Sequence, residues 1–419
     1  MPRRMFLRDG GLALLALGLP PEFVTRALFA GTRGAARRKT VICVFQRGAV
    51  DGLSMVVPFG EAAYYRVRGS TGIAHPRAGD DDAALDLDGF FGLHPALAPL
   101  LSLWTRGEIA IVHACGSPHP TRSHFEAQDF METASPGEKS TRDGWLNRLL
   151  AETGCETCAG RTLAARAAHT ADHASGQVGM AELRGVAIAP ELPLALRGDY
   201  PALAIPDLER FGVAGGRDPA LEAAFTEIYR GSSGDIVRGA ADQSFAAIDL
   251  LKRADPTQYR PRPGVEYPRG DFGRSLQQIS QLVKAEVGLE VAFADLGGWD
   301  THLAQGGARG VLAGRLRELA QGLAALCADL GERMADVVVV TMSEFGRTVA
   351  ENGSGGTDHG HGNCMLVLGG PVAGGHVFGP WPGLEREQLY EGRDLAITTD
   401  FRDVFAEVVT GHLGAERLD

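Results

Sequence analysis

Val337-Val338-Val339-Val340-Thr341 runs unbroken and stops at Ser343-Glu344. A stretch apolar at nearly every position, β-branched and too short for an ordinary helix is the mark of a strand buried on both faces. The chain repeats the pattern. Residues 40–45 end at Arg47-Gly48-Ala49-Val50-Asp51-Gly52, and residues 109–115 end at Gly116 and a loop with Pro118 and Pro120. Residues 289–294 lead to Gly297-Gly298-Trp299-Asp300-Thr301-His302, while residues 364–368 begin just after the loop 355–362. Between these runs, apolar residues at three-to-four spacing predict helices over 275–286 and 312–334, and another is expected to start at Ser123. Such alternation predicts an α/β fold, a mainly parallel sheet with helices on both faces, which takes its ligands beyond the carboxyl ends of the strands. Residues 39–419 read as one domain. The stretch from about 152 to 272, rich in Ala, Gly and Pro, lacks the pattern and reads as an insertion or cap, with helices over 219–229 and 242–253.

Polar clusters follow these runs. Asp358-His359 lies in Gly355-Gly356-Thr357-Asp358-His359-Gly360-His361-Gly362, a backbone whose glycines point to cation binding rather than to packing. Asp300 and His302 are two apart, so on an extended segment both side chains leave the same face. Carboxylate with imidazole suits zinc, manganese or iron better than calcium. Glu344, ending a buried strand, must be paired, coordinated or exposed, and Arg347 is at hand to neutralise it; Asp51 has the same ambiguity beside Arg47. Asp358 and His359 also fit a solvated polar turn, and His361 is a further ligand or a group orienting one. Ser123 stands where a helix begins: either an N-cap, or a nucleophile favoured by the helix N-terminus and a nearby cation. Thr121 could take either role, His124 is a base or a ligand, and His113, inside an apolar run, reads as a core residue.

The combination of Gln46 to Leu53, Ser123-His124-Phe125, Gly298-Trp299-Asp300-Thr301-His302, Ser343-Glu344-Phe345-Gly346-Arg347 and Gly356-Thr357-Asp358-His359-Gly360 resembles the bacterial domain of unknown function 1501. That family is similar in fold to the alkaline phosphatase and sulfatase superfamily. The resemblance implies a hydrolase with one or two divalent metal ions, zinc, manganese or similar. By it, Asp51, Ser123 and Glu344 would hold one ion and Asp300, His302 and His359 the other; Asp358 stays a candidate ligand from its glycine-bounded loop. Ser123 would attack a phosphate ester or related ester, helped by His124, while Arg122, Arg47 or Arg347 steadies its oxygens. Cys115 lacks the Pro-x-Arg arrangement that follows a sulfatase nucleophile, which favours phosphoesters. Two other readings remain: an exported, non-catalytic metal- or ligand-binding protein, and a metal-free serine hydrolase, the latter weakened by the absence of a G-x-S-x-G elbow.

Pro2-Arg3-Arg4-Met5-Phe6-Leu7-Arg8, an apolar stretch over 10–19 and later alanines make a charged, apolar, small-residue leader over 1–38 that resembles a twin-arginine signal. Its apolar part is too short for a permanent membrane anchor, so the expected location is periplasmic or secreted, with the twin-arginine machinery as a partner. A net charge of −11 argues against nucleic acid, which leaves a small-molecule or ester substrate. Of six cysteines, Cys155 and Cys158 form an isolated C-x-x-C pair, whereas Cys43, Cys115, Cys327 and Cys364 read as core residues.

Overall fold

The computed structural model describes residues 38–153, 183–209, 250–251 and 255–415. The leader, the Cys155/Cys158 pair, the expected helix over 219–229 and nearly all of that over 242–253 lie outside the described residues.

The twelve described strands are β1 (Thr40–Arg47), β2 (Val56–Val57), β3 (Leu85–Asp86), β4 (Gly92–Leu93), β5 (Ile109–Gly116), β6 (Gly185–Ala187), β7 (Leu203–Ala204), β8 (Val291–Gly297), β9 (Val337–Met342), β10 (Asn363–Gly369), β11 (Val377–Phe378) and β12 (Thr399–Asp400). Nine form one sheet in the order β11-β5-β10-β9-β1-β8-β6-β7, with β12 also on β5; β2, β4 and β3 make a small separate sheet. Every pairing in the large sheet is parallel except those of β10, which runs antiparallel to both β5 and β9. The five apolar runs became its five long strands. β6 and β7 fall inside the stretch expected to cap the sheet; at three and two residues they are too short to show a period, yet they extend its edge beside β8.

Alternation along the strands divides the core in two. Ile42, Val44, Ala292, Val339 and Leu366 pack on one face with Leu276 and Ile279 of helix α3 (Asp271–Lys284) and Leu316, Leu319 and Leu323 of helix α4 (Val311–Leu330). Val41, Cys43, Phe293, Val340 and Val367 pack on the other with Leu146 and Leu150 of α2 (Trp145–Thr153) and Phe401 and Phe405 of α5 (Phe401–Val408). Helices thus cover both faces, which is why the strands tolerate no polar period. Helix α4 stops short of the expected 334 because Gly331, at φ +53°, leaves the helical region, and a 3₁₀ stretch over Gly331–Asp336 follows. Cys43, Cys115, Cys327 and Cys364 are buried free thiols. Among the described residues no helix is long and apolar enough to cross a membrane.

Candidate metal centre

β1, β8 and β9 run parallel, so the segments following Arg47, Gly297 and Met342 emerge at one rim of the sheet. Reversed β10 brings the residues preceding Asn363 to the same rim. β5 delivers residues 117–123 and then helix α1 (His124–Thr133). Glycine lets these loops interleave: a Cβ on Gly356 would lie 2.4 Å from the His302 carbonyl carbon, and one on Gly360 2.3 Å from that of Arg347. The glycines of 355–362, expected to serve cation binding rather than packing, are there for close backbone packing, which in turn places Asp358 and His359.

His124, Asp300, His302 and His359 converge. His359 Nε2 lies 2.9 Å from His124 Nε2, 2.9 Å from His302 Nε2 and 3.2 Å from Asp300 Oδ1. Asp300 Oδ1 is 3.5 Å from His124 Nε2 and 3.0 Å from His302 Nε2. The set in which every ligand atom lies within 4.8 Å of every other is His124, Asp300 and His359; His302 meets two of the three.

The outward nitrogen of each ring faces a group that only accepts: His124 Nδ1 faces Glu344 Oε1 at 2.8 Å, His302 Nδ1 faces Asp358 Oδ1 at 3.0 Å and His359 Nδ1 faces the Arg122 carbonyl at 2.9 Å. Each Nδ1 must therefore carry the hydrogen, and in the neutral ring each Nε2 presents a lone pair. Arg347 meets part of this cluster, with Nη1 3.4 Å from His302 Nε2 and Nη2 on Asp300 Oδ1, but the lone pairs of His124 and His359 still face one another and Asp300, an arrangement a cation among them would relieve. The separations suit one: two ligands on a tetrahedral ion with bonds near 2.0–2.1 Å are about 3.3 Å apart. Carboxylate or carbonyl partners on the far nitrogens are the usual support of metal-binding imidazoles.

The surroundings shift the proton affinities of the cluster in different directions. The hydrogen bond to Glu344, with its charge, raises the His124 pKa against desolvation. Burial first, then the charge of His124, lowers that of His359. For Asp300, burial pushes upward, but the hydrogen bond and charge of Arg347 outweigh it and hold the carboxyl below its ordinary range. Arg347 is wholly buried, with its guanidinium donating to the carbonyls of Gly48, Ala49, Trp299 and Thr357 and to Asp300 Oδ1 at 2.5 Å. It is a fixed positive charge beside the cluster. Phe345, also buried, packs its ring 4.9 Å from that of His124 and 5.0 Å from that of His359.

Several expected ligands are engaged by protein groups. Glu344 is buried and accepts from His124, Gln128 Nε2 and the Gly48 N–H, so its contacts make it a support of His124. Asp358 orients His302 and is itself held by Asn352 Nδ2 at 2.9 Å. Asp51 is not brought into the cluster: it caps the short helix Gly52–Met55 and accepts from Arg68, Ser54 and Gln305. Gln305 in turn accepts from Thr301 and Thr357, so Asp51 braces the loops that carry Asp300, His302 and Asp358. The Arg122 side chain, expected to steady substrate, is taken by Asp394 and Glu391, and only its carbonyl serves the cluster. Arg47 pairs with Asp295 and Glu132. His361 stacks on Tyr390, and His113 is a core residue bonded to the Val56 carbonyl. Ser123 occupies the N-cap position of α1 with extended backbone, but its side chain makes no capping bond.

The sequence reading missed Gln128, Gln305, Asn352 and Asp394. Only Gln128 had a usable signal: His124, Gln128 and Glu132 lie at i, i+4 and i+8 on one face of α1, and all three turn to the rim, toward Glu344 or Arg47.

A family model described as "Protein of unknown function (DUF1501)" matches residues 104–415. The chain belongs to the DUF1501 family. The match takes in four of the five motifs; Gln46 to Leu53 precede it. Searches of curated proteins and of solved structures found no match. In this DUF1501 protein the loops at the carboxyl rim hold an imidazole-carboxylate cluster half open to solvent, with 46% of the Asp300 side chain and 42% of that of His302 exposed.

Proposed function

We propose that this DUF1501 protein is a metal-dependent hydrolase of a phosphate ester or related ester, built on an alkaline phosphatase-like fold. The observation behind this reading is the convergence of imidazole lone pairs on Asp300 Oδ1 while each Nδ1 is tied outward. His124, Asp300 and His359 would hold one divalent ion, zinc by the character of the ligands. Three protein ligands leave a position open, as catalysis requires, and the exposure of Asp300 and His302 gives solvent access to it. When bound, such an ion supplies Lewis-acid polarisation of an ester oxygen and lowers the pKa of a neighbouring hydroxyl. A two-ion centre is not proposed, because the oxygens of Asp51 and Glu344 are already engaged and buried Arg347 supplies a fixed cation beside Asp300.

Ser123, at the N-terminus of α1 between Arg122, whose carbonyl holds His359, and His124, is the nucleophile of this reading. Its oxygen forms the bond to phosphorus as the ester oxygen leaves, that oxygen takes up the serine proton, and water then hydrolyses the serine ester. The charged and apolar start of the chain fits the same proposal, with export by the twin-arginine route to the periplasm or beyond. One observation favours a second reading. With His302 Nε2 only 2.9 Å from His359 and 3.0 Å from Asp300, four protein ligands would close a tetrahedral site and make it a binding centre. Metal analysis with turnover of phosphate mono- and diesters, before and after chelation, separates the two. The hydrolase reading expects chelation to remove both metal and activity, and Ser123→Ala to abolish turnover while retaining the metal. Stoichiometric metal with no turnover across the panel favours the binding centre.

A further inference from the structure

Among the described residues four large apolar side chains are exposed, and the two most exposed are Phe125, at 86%, and Leu303, at 71%. Each directly follows a histidine of the cluster: Phe125 follows His124 and Leu303 follows His302. The Nε2 atoms of those two histidines both touch that of His359, so their chain neighbours adjoin one cluster from two segments, the start of α1 and the loop after β8. Neither exposure comes from slack backbone. Phe125 lies in the first turn of α1, whose other face is fixed in the core by Ala127, Phe130 and Met131. Leu303 is pinned on both sides, since the His302 carbonyl accepts from Asn352 and the Ala304 N–H donates to the Ser354 carbonyl. Ala304 is left at φ +46°, a conformation that costs a side-chain-bearing residue free energy and persists when the surroundings impose it. Single exposed apolar residues are ordinary; two held outward, each next in the chain to a histidine of one cluster, put apolar surface beside a polar centre.

We infer that the ligand of this site is amphiphilic: an oxyanion ester whose alcohol side is a hydrocarbon or aryl group that covers Phe125 and Leu303. This rests on the reading of the rim as a cation site that takes an anion. A polyol or sugar alcohol would gain nothing from those side chains, whereas a hydrocarbon removes both, and itself, from water.

Alkylphosphonates test it without turnover, because their P–C bond is not hydrolysed. Binding of the series from methyl- to octylphosphonate to the zinc-supplemented protein is measured by calorimetry. Affinity is expected to tighten by about two- to fourfold per methylene until the two side chains are covered. In the Phe125→Ser, Leu303→Ser double variant the dependence on chain length is expected to flatten, with melting temperature and zinc content showing that fold and centre are retained. Equal affinity along the series, no binding by any member, or an undiminished slope in the double variant overturns the inference. Phosphatidic acid vesicles form a parallel arm. A chain-length slope that also predicts vesicle binding supports a lipid source, a slope without vesicle binding supports a soluble ester, and vesicle binding without a slope overturns the proposal. Absence of turnover in the ester panel would count against the hydrolase reading alone and leave the phosphonate slope to be judged by itself.

Discussion

Two aspartate-arginine pairs, one inside the protein and one at the rim, show what makes a carboxylate available for chemistry. Asp51 and Arg68 are both shut off from water, and the oxygens of Asp51 are also taken by Ser54 and Gln305. Asp300 meets an equally buried arginine, Arg347, yet its own side chain is nearly half exposed and its Oδ1 also faces three imidazoles. In both pairs the arginine outweighs desolvation and keeps the acid ionised. The difference lies in the remaining lone pairs: at Asp51 the protein satisfies them, at Asp300 it points further electron donors at them. Interior polar groups hold the loops in place, and rim groups are left to be completed from outside.

Interior burial also marks the histidines, and pH should expose it most strongly. His94, His113 and His412 are buried, bonded to backbone carbonyls, and each is pushed down to about 4 by desolvation. Unfolded, each titrates near 6.5, so the unfolded chain binds more protons between those values. Stability is then fully present above about pH 6.5 and lost as pH falls toward 4, by about 3 kcal/mol for each histidine. At the rim His359 is lowered as the interior rings are, by burial and then by the charge of His124, whereas His124 has the opposite sign: its folded pKa is raised, so its contribution is complete below the unfolded value and fades as pH rises through the folded one. Urea unfolding of the metal-free protein between pH 7 and 4 should show a midpoint that drops steeply; a level midpoint would mean that the interior rings are not held neutral by the fold.

Asp51→Asn comes next. It leaves Arg68 charged and fully buried against a neutral amide, a change that costs about 3–5 kcal/mol. The loss should appear in unfolding free energy, while the folded fraction still binds zinc. Normal stability with impaired zinc binding would instead put Asp51 among the ligands.

These two expectations mark what could be read from residues alone. The five long strands were legible because burial on both faces leaves an unbroken apolar run, and the rim followed from where those runs stop. Helix α4 was found but overextended, since the backbone turn at Gly331 does not disturb the apolar spacing. Which acids were free was not legible. Arg68 lies 17 positions from Asp51 and Gln305 lies 254 away, and only the fold brings either to it. The same holds for Glu344, which became a support of His124 because α1 lays His124 and Gln128 against it. Local sequence names the donors; tertiary contacts decide which lone pairs remain.

Glu344→Gln sharpens the contrast at intermediate size. The amide keeps a bond to His124 Nδ1 but loses the charge that raises the basicity of the ring, and changes to such supporting groups weaken metal binding about 10–100-fold. Competition with a chromophoric chelator measures it. An unchanged zinc affinity would mean that His124 is not a ligand.

Asp300→Asn is chemically the same change as Asp51→Asn and should have the smallest effect on folding. Arg347 keeps four backbone carbonyls when its carboxylate is neutralised, so its charge is not stranded as that of Arg68 would be. The lost pair is half solvated on the acid side, where an ion pair contributes about 1 kcal/mol or less. The metal-free variant should therefore melt close to the parent while zinc affinity falls further than in Glu344→Gln, since here a ligand atom itself is altered. If the metal-free variant instead loses as much stability as Asp51→Asn, Asp300 is a structural partner of Arg347, and the imidazoles meet at the rim with no carboxylate set aside for a cation.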